Sequence, residues 1–148
     1  MIIDINFIGL IITSIMASAV PLILASCGEL ITERSGVLNL GVEGMMLVGA
    51  VTAFVTLVIT GSYFLSFLFS IISGLVMSGL FAYLVLILMS NQVATGLALT
   101  IFGIGLSSMI GKEYIGTPIE GLTPWYFVIF SFIIVFLVGY FFYKTKSG

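Results

Sequence analysis

Glu33, Arg34, Asn39 and Glu43 fall within about three helical turns of one another. They lie in the stretch ITERSGVLNLGVEGMMLVGA, residues 31–50, of a chain that is otherwise almost continuously apolar. Two carboxylates, a guanidinium and an amide at that spacing can pair with one another, face a polar cavity, or hold a proton or cation. A second group, Asn91, Gln92 and Thr95, brings two amides and a hydroxyl to the start of another apolar run. Other chemistries are excluded by residue type. The chain has no histidine and a single cysteine, Cys27. A Cys/His zinc site, a Ser/His/Asp triad and an intrachain disulfide are therefore impossible within it. No phosphate-binding loop of the G-x-x-x-x-G-K-[ST] type is present, because Gly111-Lys112 lacks the upstream glycine and is followed by Glu113. No metal ligand set and no cofactor are expected in the chain itself.

The elements that must position these groups follow from composition. Hydrophobic residues make up 61% of the 148 residues and charged residues 7%, against roughly 25% charged in a soluble domain. A water-soluble fold would be left without a polar surface, whereas lipid asks for an apolar exterior and small residues at helix contacts. The net charge of −2 accordingly says little about partners. Apolar runs of about twenty residues predict about five transmembrane helices. They cover Phe7–Gly28, about 37–60, Phe64–Met89, Asn91–Ile110 and Pro124–Tyr143. The first run lacks a basic leader, Asp4 being the only charge before Glu29, and is too long for a signal peptide. Alternation of the kind that transmembrane strands need is absent. The fold class expected is an all-α integral membrane protein, residues 1–148 forming a single transmembrane domain.

Within that frame the cluster interrupts the second span. Glycine costs about 1 kcal/mol relative to alanine in a helix, so Gly36, Gly41 and Gly44 predict a broken or re-entrant segment near residues 36–44. Irregular backbone is tolerated at membrane depth only where protein or water satisfies its polar groups. The alternative is a cytoplasmic loop, with Glu33 and Arg34 as an exposed pair and Glu43 as a solvated carboxylate at a helix start. Small residues recur every fourth position at Ser70, Gly74, Ser78 and Ala82, and again, interrupted by Leu99, at Thr95, Gly103, Ser107 and Gly111. Such rows lie on one helix face and predict close helix packing.

Topology follows from the cations. With five spans, Arg34, Lys144 and Lys146 share one side, while Asp4, Lys112, Glu113 and Glu120 share the other. Basic residues favour the cytoplasm, which places the N-terminus outside and the C-terminus inside. Trp125, Tyr126, Tyr140 and Tyr143 bracket the last span as interfacial anchors.

The segment ERSGVLNLGVEGMMLVGA, preceded by PLILASCGELIT and followed at Asn91 by NQVATGLALTIFGIGL, resembles the permease subunits of bacterial ABC importers for nucleosides and simple sugars, a group related to ribose and branched-chain amino-acid permeases. The resemblance runs through the whole chain to YKTKSG. In the family such a stretch leads into a cytoplasmic segment of the type L-x-x-R-A-x-G-x-N-x-x-A-A, so the chain looks like about the N-terminal half of a longer permease. The resemblance implies a multi-pass protein of the bacterial cell membrane. It also implies three kinds of protein partner: an ABC ATPase subunit that binds ATP, a second permease subunit or the other half, and an extracytoplasmic solute-binding protein. Lipid is the remaining partner, and no nucleic-acid polymer is expected.

By the same resemblance Asn39 to Gly44 correspond to a broken helix near the pore, and Asn91, Gln92 and Thr95 open a pore-side helix. Asn39, Glu43, Asn91, Gln92 and Thr95 are thus candidate substrate-pathway residues. Their amides and hydroxyl are able to bond a sugar hydroxyl or a base edge, and interhelical bonding or helix capping is the competing role. Two other functions stay open beside the permease: a truncated, non-transporting permease fragment, and a small homo-oligomeric transporter or channel using Glu43.

Overall fold

The computed structural model describes residues 5–119 and 124–144, without the side chains of residues 5, 6, 17 and 124–127. Asp4, Glu120, Lys146 and the Trp125 and Tyr126 side chains named above lie outside the described residues. Five α-helices follow one another: α1 (Ile5–Arg34), α2 (Val42–Thr60), α3 (Tyr63–Ala82), α4 (Gln92–Gly111) and α5 (Pro124–Lys144). A π-helical turn, Tyr83–Ile87, extends α3, and a 3-10 turn, Lys112–Tyr114, extends α4. No strand forms among the described residues. The chain is an all-α integral membrane protein. Among the described residues four helices are long and apolar enough to cross a membrane, and α5 adds 21 residues of similar character.

Local sequence sets the helix ends. Gly36, at φ 84°, lets the chain leave α1 in the left-handed region that other residues avoid. Gly61, at φ 65°, closes α2 by donating its N–H to the Leu57 carbonyl at 2.8 Å. Ser62 and Asn91 cap α3 and α4, their side-chain oxygens accepting from the Leu65 and Ala94 amides. Pro124 opens α5, where its missing N–H costs nothing. α1 runs past Gly28, the end expected from hydropathy, to Arg34. At 30 residues it rises about 45 Å, longer than a hydrocarbon core of about 30 Å. The polar residues Glu29, Glu33 and Arg34 therefore continue the helix where the backbone keeps its own hydrogen bonds.

The chain divides into two compact units, Met1–Ser35 with Glu120–Gly148, and Gly36–Ile119. In the first, α1 packs on α5. The pairing is parallel: Val135 lies beside the Ala19–Leu30 part of α1, and the Arg34 guanidinium lies 5.1 Å from the centre of the Phe142 ring. In the second unit α2 packs on both α3 and α4. Ser66 and Ser70 of α3 donate to the Ala53 and Gly49 carbonyls at 2.6 and 3.0 Å, so α2 and α3 are antiparallel. A buried cluster of Val48, Met77, Phe81, Val85 and Leu99 fills the space between these elements. Outward faces stay apolar, with Phe64, Val76 and Ile101 each well over half exposed. That is the polarity a lipid-facing surface requires.

Candidate functional site

The interruption predicted near residues 36–44 is a non-helical connector at 35–41. Gly44 falls within α2, not in the break. The connector lies along the first turns of α4. Leu38 donates its N–H to Gln92 Oε1 at 2.8 Å, and Thr100 Oγ1 donates to the Leu40 carbonyl at 2.9 Å. Gln92 and Thr100 are eight residues apart, so the non-helical chain from Leu38 to Leu40 is held by side chains about two turns apart on α4. Gly96, between them on the same face, leaves room for it: a Cβ there would stand 2.8 Å from the Leu40 nitrogen and 3.0 Å from that of Gly41.

Below the connector the backbones of α2 and α4 touch. A Cβ on Gly103 would stand 2.5 Å from the Gly44 carbonyl oxygen, and one on Gly44 would stand 2.6 Å from the Leu99 oxygen. Farther along, Gly111 approaches Val51. The contacts advance in the same direction on both helices, so α2 and α4 run parallel.

Asn39 is buried, 6% exposed. Its Oδ1 accepts the Gly41 N–H at 2.9 Å, while its Nδ2 lies 3.7 Å from Met45 Sδ. Among the described residues no buried side-chain nitrogen or oxygen lacks a partner. Leu38, Leu40 and Gly41 thus have polar groups satisfied by three side chains drawn from two segments, as irregular backbone at membrane depth requires.

The remaining candidates are distributed around this core. Glu43 is exposed in the first turn of α2, where a carboxylate suits the positive end of the helix dipole. Glu33 and Arg34 are exposed at the end of α1, in the other compact unit. Asn91 caps α4. Thr95 shares a hydroxyl hydrogen bond of 2.8 Å with Ser90, whose Oγ also lies 2.7 Å from the Leu84 carbonyl it donates to. Ser90, Asn91 and Thr95 line one end of an open groove of about 480 Å³, whose other walls include Leu80, Leu84 and Phe102. The π-helical turn ends at Ile87, and Met89, between it and Ser90, is held at φ 52°.

Of the small-residue positions, Ser70 and Gly103 lie at contacts with α2. A Cβ on Gly74 would meet nothing within 4 Å, and exposed Ser78 turns its hydroxyl back to Leu75. Ser107 is half-buried. Sequence inspection did not single out Gly96 or Thr100, although with Gln92 they form a four-residue row that was there to be read. Among the described residues no group of histidine, cysteine or acidic side chains is placed to hold a metal.

A family model described as branched-chain amino acid transport system / permease component matches residues 11–148. The chain is 43% identical over 141 residues to a protein of Haloferax volcanii named as a glucose ABC transporter permease, covering 94% of the chain and 43% of that relative. It is 29% identical over 118 residues to the guanosine ABC transporter permease protein of Bacillus subtilis, covering 76% of the chain and 37% of the relative. The nucleoside ABC transporter permease protein of Lactococcus lactis is 30% identical over 103 residues, 66% of the chain and 32% of the relative. The chain spans less than half the length of these curated relatives. No solved structure matches it significantly.

Proposed function

We propose, for a chain that belongs to the family of branched-chain amino acid transport system permease components, that it is a membrane-embedded permease component of an ATP-driven importer for nucleosides or simple sugars. The observation that carries this is the connector held along α4 by Gln92 and Thr100. Non-helical backbone with satisfied polar groups, placed between helices that cross a membrane, is the arrangement in which transporters build solute paths. The relatives named for glucose, guanosine and nucleosides support that choice of solute class.

In this proposal Asn39 and Gln92 are scaffold groups, since their amide oxygens already accept connector N–H bonds. Ser90, Asn91 and Thr95 line the groove and are the groups available to a solute hydroxyl or base edge. Glu43 is placed at the solvated start of α2. ATP is bound by a separate ATPase subunit, and a second permease subunit or half and an extracytoplasmic binding protein complete the system. The C-termini of α1 and α5 lie on the cytoplasmic side. Parallel packing of these two helices brings Arg34 and Lys144 to the same end, in keeping with the preference of cations for that side.

The test is uptake in the native host. Deleting the gene should abolish ATP-dependent uptake of at least one member of a panel of radiolabelled nucleosides and simple sugars, and the restored gene should recover it. Unchanged uptake across the whole panel refutes the assignment.

A further inference from the structure

The end of the α1/α5 pair holds an open cleft of about 480 Å³, lined by Ile31, Leu137, Val138, Phe141, Phe142 and the ring of Tyr140, with Lys144 at its rim. A second cation sits beside it, because the exposed Arg34 guanidinium stacks 5.1 Å above Phe142. Lys144 is steered in the same way, its Nζ 2.9 Å from the Tyr140 hydroxyl and 5.4 Å from the centre of that ring. An apolar cleft with two cations at one end, set in the terminal turns of apolar helices, has the polarity of a lipid molecule and not of a soluble metabolite.

We propose that this cleft binds an anionic glycerophospholipid, one acyl chain lying along Ile31, Leu137 and Phe141 and the phosphate resting between the Arg34 guanidinium and the Lys144 ammonium. Charge complementarity selects the occupant. Both cations lie at the membrane boundary, where a headgroup phosphate lies, and basic pockets between transmembrane helices suit such headgroups. Two full positive charges outweigh the two half negative charges carried by the helix C-termini. Glu29 and Glu33 are each two residues, about 200° of helical rotation, from Ile31, so they project away from the cleft wall that Ile31 forms. The aromatic rings hold both long side chains in place, which lowers the ordering cost of binding. The proposal depends on the membrane-spanning fold and not on what solute is transported.

Native mass spectrometry of the full chain, delipidated in detergent and offered dioleoylphosphatidylglycerol or dioleoylphosphatidylcholine, tests it. With each basic group contributing roughly fivefold, the wild type should retain the anionic lipid about 30-fold more strongly. Arg34→Gln with Lys144→Gln should reduce that preference to below about threefold, and Lys144→Gln alone should give an intermediate value. Arg34→Lys with Lys144→Arg, and Lys112→Gln, which is not part of the cleft lining, should each keep the preference. Helical circular dichroism verifies that each variant folds; if the double variant does not, the single one decides. Equal retention of the two lipids overturns the proposal, as does undiminished preference in the glutamine variants. Loss of preference in the charge-preserving pair overturns it also, since packing and not charge would then be responsible. A dimer whose cleft is covered by a second copy, with lipid content independent of these residues, is equally fatal.

Discussion

Replacing Gly103 by alanine adds one methyl group at the point where α2 and α4 come closest. The new Cβ would stand 2.5, 2.6 and 2.7 Å from the carbonyl oxygen, Cα and carbonyl carbon of Gly44. All three are backbone atoms, so no rotamer change relieves the contact. Carbon contacts are comfortable at about 3.5 Å or more, so the helices must part by roughly 1 Å. That movement carries the Thr100 hydroxyl, now 2.9 Å from the Leu40 carbonyl, toward a distance at which the hydrogen bond is lost. Overpacking costs about 1–3 kcal/mol, and an interhelical hydrogen bond in a membrane averages about 0.6 kcal/mol. Alanine returns up to about 1 kcal/mol through helix propensity. The net expectation is a destabilisation of about 1–3 kcal/mol.

Gly105→Ala is the control within the same helix, because a Cβ there meets nothing within 4 Å. It should be neutral or stabilising by up to about 1 kcal/mol, and Gly74→Ala should behave likewise for the same reason. Unfolding in mixed micelles titrated with sodium dodecyl sulfate, followed by circular dichroism, measures the three variants against the wild type. A Gly103→Ala protein as stable as the Gly105→Ala protein would refute the close backbone approach.

Gln92→Leu removes the acceptor for the Leu38 N–H and should speed hydrogen exchange at that amide while costing about 1–2 kcal/mol. Thr100→Ser keeps the donor to Leu40 and should be nearly silent; equal costs for the two would argue against the hydrogen bonds as the cause. Met89 sits at φ 52° and is 83% exposed, so Met89→Gly should stabilise by about 0.5–1 kcal/mol once unfolded-chain entropy is counted. A clear loss of stability in the same titration would show that the Met89 side chain matters more than its backbone. For orientation, in a Cys27→Ser background Glu113→Cys should label with an impermeant thiol reagent added outside intact cells and Lys146→Cys should not. The reverse pattern defeats the proposed topology.

The class of fold was legible in the sequence because lipid imposes one demand on every residue of a span: backbone bonds closed internally and side chains apolar. Runs such as Phe64–Met89 satisfy it over so many residues that helix type and number follow. The break before α2 was legible for a local reason, since Gly36 and Gly41 weaken any helix and Asn39 supplies a side chain that bonds its own neighbourhood. Its end at Gly41, with Gly44 helical, was not. A glycine inside a transmembrane helix and a glycine in a break look alike until the partner helix is known. Gly44 stays helical because Leu99 and Gly103 of α4 press on it, and those residues are more than fifty positions away.

The candidate site shows the same division. The polar character of Asn91, Gln92 and Thr95 is plain in the sequence, but their duties diverge on neighbouring turns: a cap, a clasp on the connector, and a hydroxyl on a groove wall. Which duty falls to which residue depends on the rotation of α4 against its neighbours, and an almost uniformly apolar helix carries little periodicity to record that rotation. The contact of α1 with α5 and the division into two units are likewise tertiary, although five spans already imply that the two helices run in the same direction; all five helices share one composition, and lipid contact and helix contact ask for much the same residues. What the sequence determined by itself was solvent and secondary structure, through hydration and backbone hydrogen bonding. The tertiary structure decided which glycines are contacts and which polar groups are held by their neighbours, through steric fit that composition does not encode.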